Sequence, residues 1–201
     1  MGFISVYFLL FIFITLIAYF LVPIKHRWIV LLLASYVFYF INSQFLLGIL
    51  VLETVFVYYC GLYLERNKKE NQKNNNKIVI KIGVIALLLV LGFLKYYNFF
   101  ADNINLLTGK IGYYLPNLNL LLPLGISFYS LQAIAYLVDV YRGKIEAEKN
   151  LWKFMLFMSY FPQIVQGPIA RYKKLAHQLY DGHEFNEKNI VYVLNPKIRT
   201  T

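Results

Sequence analysis

Tyr160-Phe161-Pro162-Gln163-Ile164-Val165-Gln166-Gly167-Pro168-Ile169-Ala170-Arg171-Tyr172 closes an apolar run with two prolines, a glycine, two glutamines and an arginine. Proline breaks the helical ladder, and backbone groups freed inside hydrocarbon persist only where protein buries them or water reaches them. A second punctuated stretch, Leu122-Pro123-Leu124-Gly125-Ile126-Ser127-Phe128-Tyr129, stands upstream. Together they imply a cavity or tunnel among apolar helices.

The rest of the chain supplies those helices. Of its 201 residues 59% are hydrophobic and 15% charged, with a mean hydropathy of +0.54, against an apolar share of about 45–50% in soluble domains. The fold class expected is all-α, a polytopic transmembrane helical bundle. The 18 Tyr and 17 Phe suit rings at headgroup level. A net charge of +10 does not point to nucleic acid, because the basic residues fall in the connections between apolar runs instead of along one helix face. The lone Cys60 excludes an internal disulfide, and neither C-x-x-C nor H-E-x-x-H is present; Cys60 reads as a small buried residue, with lipidation the alternative. No basic region precedes Phe3, so the first apolar run reads as a retained helix and not as a cleaved signal.

Five spans are expected: Phe3 to Val22, Trp28 to Ile41, Phe45 to Leu64, Ile78 to Tyr97 and Leu120 to Val138. Glu65 to Lys77 reads as a solvated loop, Asn98 to Asn119 as an external loop with room for an interfacial helix, and Pro123 as a first-turn proline of the fifth span. Phe154 to Val165 is too short for a crossing before Gln166-Gly167-Pro168, so a re-entrant or broken helix is expected near residues 154–170. If the first helix runs inward, the inner side collects Lys25, Arg27, Arg66, Lys68, Lys69, Lys73, Lys77, Arg142, Lys144, Lys149 and Lys153. The outer loops hold Lys110, with Lys95 at the boundary. That asymmetry predicts an outside N-terminus.

Polar side chains beside the breaks are the candidate tunnel residues: Gln163, Gln166 and Arg171, with Gly167 and Pro168 shaping the path. Arg171 offers a planar fork to an anionic carrier; a lipid phosphate or a neighbouring carboxylate is the alternative. Tyr129 and Gln132 fall three apart and share a helix face, either lining the same cavity or hydrogen-bonding between helices. Glu53 lies deep in the third apolar run, where an ionisable group needs a partner or a wet route. Asp139 reads as a structural ion pair with nearby Arg142. Ser127 is no nucleophile elbow, since Tyr129 stands where the closing glycine belongs and no strand precedes it.

The motifs resemble a known family. Leu122 to Tyr129, Gln132-Ala133-Ile134-Ala135-Tyr136-Leu137-Val138-Asp139-Val140-Tyr141-Arg142, Phe161-Pro162-Gln163 and Gly167-Pro168-Ile169-Ala170-Arg171-Tyr172-Lys173 resemble the membrane-bound O-acyltransferases. The branch most similar is the bacterial one, with alginate O-acetyltransferases and the D-alanyl transfer protein of teichoic acids. The resemblance implies transfer of an acetyl or other short acyl group to a hydroxyl of an extracytoplasmic polymer. The acyl donor, an acyl-CoA or acyl carrier, is then a substrate; no bound cofactor or metal is implied. It also implies a bacterial cytoplasmic membrane, an acyl carrier protein and an extracytoplasmic transfer partner. Residues 1–189 match the family's N-terminal part in organisation, and 190–201 read as an atypical tail. The family's catalytic histidine lies on a later helix, which the resemblance puts beyond Thr201. His26, His177 and His183 do not match its motif, so none is assigned that role and the chain alone is expected to be inactive. Rival readings are a truncated, inactive membrane protein and a transporter-like protein; the absence of an internal repeat weighs against the latter.

Overall fold

The computed structural model describes residues 6–42, 44–70, 73–108, 114–116, 126–166 and 171–181. They form α1 (Val6–Leu21), a short 3-10 turn (Ile24–His26), α2 (Arg27–Asn42), α3 (Gln44–Lys69), α4 (Lys73–Thr108), α5 (Ile126–Arg142), α6 (Leu151–Ser159), α7 (Phe161–Gln166) and α8 (Tyr172–Tyr180). Among the described residues there is no strand. Among the described residues three segments, Ile24–Ile41, Leu47–Lys68 and Asn74–Thr108, are long and apolar enough to cross a membrane, and Val6–Leu21 is a shorter apolar helix.

Helical periodicity decides which side of each helix turns inward. On α3 the buried stripe runs Leu50, Glu53, Thr54, Val57, Tyr58, Gly61, Leu64. On α4 it is Leu87, Leu94 and Ala101, seven apart, while Ile82, Ile85, Leu89 and Phe93 point outward. On α5 it is Tyr129, Ser130, Gln132, Ala133, Tyr136, Leu137 and Val140. These three helices pack together, and α6 lies across α2 and α3. Between helices in lipid, close packing and hydrogen bonds supply the attraction, and small residues let backbones approach. Gly61 does this on α3: a Cβ there would sit 3.1 Å from the Tyr136 ring of α5. Helix α1 joins through aromatic rings, with Phe11 5.4 Å from Phe161 and Phe8 6.0 Å from Phe38.

Three boundaries differ from the sequence expectations. The stretch from Glu65 is not a loop throughout: α3 continues to Lys69 and α4 begins at Lys73. Buried Asn76 explains part of this, donating its side-chain amide to the Leu64 carbonyl at 3.2 Å and so tying the two helix ends together. Helix α4 also runs on past Tyr97 to Thr108. Its polar residues there turn back on the helix itself, Asn103 donating to the Phe99 carbonyl and Thr108 to that of Ile104. At 36 residues it is about 54 Å long, well beyond a hydrocarbon core of about 30 Å. Residues 114–116 fold back along its far end, where the Asn105 side chain accepts from the Leu115 N–H at 2.7 Å and donates to its carbonyl at 2.9 Å.

The third difference concerns the break after Lys153. The helix gives way already at Tyr160 (ψ 103°), before Gln166-Gly167-Pro168, leaving two short helices. Pro162 is the cause: a continuing helix would need its missing N–H for the Met158 carbonyl, whereas in the first turn of α7 none is required. Gly167 and Pro168, and Pro123 upstream, lie outside the described residues. At the other end of α5 the helix extends past Val138 to Arg142 and closes on Gly143 (φ +72°). Gly143 N–H donates to Val140 O and Lys144 N–H to Asp139 O, both at 2.9 Å, the paired bonds of a left-handed helix stop. The partner seen for Asp139 is Lys144, at 3.9 Å.

Candidate functional site

Two groups of polar side chains lie on the buried stripes. The first surrounds the break between α6 and α7. In an unbroken helix the Phe161 N–H would bond to the Phe157 carbonyl. Here the Phe161 N–H donates to Ser35 Oγ of α2 at 3.4 Å, and the Phe157 carbonyl accepts from Gln132 Nε2 of α5 at 3.0 Å. Two neighbouring helices thus satisfy both halves of one severed backbone bond, which apolar surroundings would otherwise leave costly. Gln163, 7% exposed, opens its own turn by donating N–H to the Tyr160 carbonyl. Gln132 therefore acts between helices.

The second group lies among α2, α3 and α5. Glu53 is 5% exposed and accepts from Ser130 Oγ at 3.2 and 3.4 Å. Tyr129 of α5 is 1% exposed and Tyr39 of α2 5%, with Tyr36 half-buried one turn before it on α2. Among the described residues the three phenolic oxygens have no hydrogen-bond partner, whereas Thr15, Ser35 and Thr54 return their hydroxyls to the carbonyl four residues back. On its other side Glu53 floors an apolar groove of about 230 Å³ between α3 and α4, walled by Leu52, Phe56, Leu87 and Val90.

Beyond the bundle ends, residues 144–153 are clamped by side chains. Ala147 N–H donates to Glu65 Oε2 at 2.6 Å, Glu148 N–H to the Tyr136 oxygen at 3.0 Å, and Tyr58 and Tyr180 donate to the carbonyls of Lys149 and Lys153. Tyr172 donates to Glu148, and Asn150 caps α6 by accepting from the N–H groups of Trp152 and Lys153, the usual service of an asparagine N-cap. Burial pushes the Tyr172 and Tyr180 phenols well above their ordinary pKa, so both stay protonated donors. Between this segment and α8 opens a cleft of about 650 Å³ lined by Lys144, Lys153, Lys173 and His177 with Glu148 and Asp181.

Sequence-predicted residues thus scatter. Glu53 is held by Ser130, the residue after Tyr129 on α5; Gln132 stands at the helix break instead; Gln163 is buried near it. Arg171 is exposed at the N-cap of α8, beside the cleft residue Lys173. The Gln166 side chain, Gly167, Pro168, His183 and the tail ending at Thr201 lie outside the described residues, and with them the expectation that the catalytic histidine follows Thr201. His26 and His177 are exposed, His177 paired with Asp181. Ser35, Tyr36, Tyr39, Glu65, Ser130 and Glu148 escaped the sequence reading. Tyr36 and Tyr39 carried a usable signal, being spaced like Tyr129 and Gln132 within an apolar helix. Among the described residues no three His, Cys, Asp or Glu side chains are grouped to hold a metal ion.

Apolar helices around interior hydrogen-bonding groups define a polytopic helical membrane protein. Within that class the chain is a homologue of the bacterial membrane-bound O-acyltransferases over four fifths of its length. It is 38% identical over 161 residues to a probable alginate O-acetylase of Azotobacter vinelandii, covering 80% of this chain and 32% of that protein. To the peptidoglycan O-acetyltransferase of Helicobacter pylori it is 32% identical over 186 residues, 80% of this chain and 34% of that one. The teichoic acid D-alanyltransferase of Lacticaseibacillus rhamnosus shares 27% identity over 138 residues, 67% and 29%. The chain thus spans about a third of the length of the curated relatives it matches. No family model and no solved structure matches it.

Proposed function

We propose that this chain is the donor-side portion of a membrane-bound O-acyltransferase that moves an acetyl or other short acyl group to a hydroxyl of an extracytoplasmic polysaccharide or cell-wall polymer. The observation that carries the reading is the 38% identity to an alginate O-acetylase, which runs through most of the chain. The acyl donor is a cytoplasmic thioester, on coenzyme A or an acyl carrier protein. In the transfer the polymer hydroxyl oxygen forms a bond to the acyl carbon, the carbon–sulfur bond breaks, and the hydroxyl proton ends on the released thiol. A general base and an oxyanion donor accelerate such a step, and no described histidine here is placed inside the bundle.

The roles proposed for this chain's residues are those of a donor path. Arg171 and the cleft lysines Lys144, Lys153 and Lys173 face an anionic donor from the cytoplasm, while Gln163, Gln166, Gly167 and Pro168 shape the entrance. Tyr129, Gln132 and Glu53 hold the helices that wall it. The setting is the bacterial cytoplasmic membrane, with the N-terminus outside, as the uneven sharing of basic residues supports. The test is deletion of the gene, followed by measurement of ester-linked acyl groups on peptidoglycan, teichoic acid and exopolysaccharide. Loss from one polymer, restored by complementation, is the expected result; unchanged acylation of all three overturns the proposal.

A further inference from the structure

The groove between α3 and α4 has an acid for its floor and hydrocarbon for its walls. Glu53, 5% exposed, lies at its base, and Leu52, Phe56, Ala86, Leu87 and Val90 enclose a volume of about 230 Å³. Both helices are long and apolar enough to cross a membrane, and Glu53 stands six residues past Leu47, about 9 Å along its segment. Leu52 is 72% exposed beside the opening, and Phe56 and Val90 are 37% exposed each. The mouth therefore opens on the apolar outer surface of the bundle.

Among the described residues no cation faces the acid. Its hydrogen-bond partner is Ser130 Oγ, at 3.2 and 3.4 Å, and the groove walls are uncharged. On α3 the next basic residue is Arg66, more than three turns on, and on α4 Lys81 and Lys95 stand five residues outside the Ala86–Val90 wall and are exposed. The basic residues of α2 and α5 lie at helix ends, Arg27 and Arg142, and Lys153 of α6 lies over the Tyr180 ring. A carboxylate buried in apolar surroundings without a cation is costly, and such a group keeps its proton instead.

A neutral acid in a hydrocarbon-walled groove is a defined chemical target. A reagent that arrives through lipid must be small, apolar and uncharged, and one that consumes a carboxylic acid needs its proton as well as its oxygen. Carbodiimides meet both demands. One nitrogen of the N=C=N group takes the acid proton and a carboxyl oxygen bonds to the central carbon. The resulting O-acylisourea rearranges by acyl transfer to nitrogen, giving a stable N-acylurea. Every atom of the reagent is retained, and nothing is oxidised or reduced.

We propose that Glu53 is a lipid-accessible modification site, its protonated carboxyl reached through the α3–α4 groove by small apolar electrophiles of the carbodiimide class. The site stands independently of the acyl-transfer reading, which does not use the groove.

The experiment treats the protein in membranes with dicyclohexylcarbodiimide or with a permanently cationic, water-soluble carbodiimide, and maps the adducts by peptide mass spectrometry. The expected result is a Glu53 adduct carrying the whole mass of the apolar reagent, and none from the cationic one. Ala86→Phe, which fills the groove and keeps the acid, should slow the labelling about tenfold; Val90→Phe takes its place should that variant fail to insert. No adduct at Glu53, equal labelling by the cationic reagent, or an unchanged rate in an inserted groove-filling variant overturns the proposal.

Discussion

Gln132 of α5 donates its side-chain amide to the Phe157 carbonyl at 3.0 Å, and that carbonyl is the one a continuous helix would offer to Phe161. The Phe161 N–H turns to Ser35 of α2 instead. A break that Pro162 imposes is thereby built into the bundle and not left as a defect. Gln132→Leu, which leaves the Phe157 carbonyl buried and unpaired, should cost about 1–3 kcal/mol. Thermal denaturation in detergent reads the loss; an unchanged midpoint would mean that Gln132 does not support the break.

The break and its two supports should be coupled. Pro162→Ala restores the N–H that allows α6 and α7 to fuse, which makes the Ser35 contact redundant. Ser35→Ala should then destabilise the Pro162→Ala background less than the wild type, with an interaction energy of at least about 0.5 kcal/mol in a double-mutant cycle. Strict additivity would argue against the splint.

Gly61 and Tyr136 set how near α3 and α5 approach. The Tyr136 ring cannot simply retreat, since its oxygen accepts from Glu148 N–H and its ring packs against Phe154, tilted, at 4.7 Å and Tyr172, edge-on, at 5.1 Å between centroids. Gly61→Ala should therefore overpack the interface and cost about 1–3 kcal/mol. Its partial rescue by Tyr136→Phe, which removes the oxygen that the new Cβ would meet at 3.2 Å, would identify the contact. A neutral Gly61→Ala would show slack that the packing does not display.

Tyr172 and Tyr180 have phenol pKa values raised by burial, so their folded forms hold the proton more tightly than the unfolded chain. Their contribution to stability is fully present below the unfolded value of about 10 and is lost as pH rises above it. Denaturation midpoints should be level between pH 7 and 9 and decline beyond about 10. The decline should be shallower in Tyr180→Phe; an identical slope in the variant would remove Tyr180 from the account.

Orientation is open to chemical labelling. In a Cys60→Ala background, single cysteines at Asn74 and Tyr114, both exposed, should react with an impermeant thiol reagent from opposite sides of the membrane, Tyr114 from outside. Labelling from one side would reverse the proposed topology.

Much of the architecture was legible because the hydrocarbon solvent leaves little choice. Long apolar runs must satisfy their own backbone, so helices and their rough number follow from composition and length. Residues 98–108 and the ends of α3 and α4 were misread as loops for a related reason. Asn and Thr look like loop formers in sequence, but Asn103 and Thr108 bond to their own helix and Asn76 to the neighbouring one. Glu53 was legible as an ionisable group too costly to be idle.

The sequence by itself determined a polytopic helical protein, a broken helix after Lys153 and kinship with bacterial acyltransferases, since hydropathy, proline and motif order are local properties. Only the tertiary structure decided that the break falls at Tyr160, that Ser35 and Gln132 complete it, and that Glu53 meets Ser130. These relationships join residues from 25 to 126 positions apart. They depend on helix rotation and crossing, which arise from packing between helices and leave no periodic mark on any one of them.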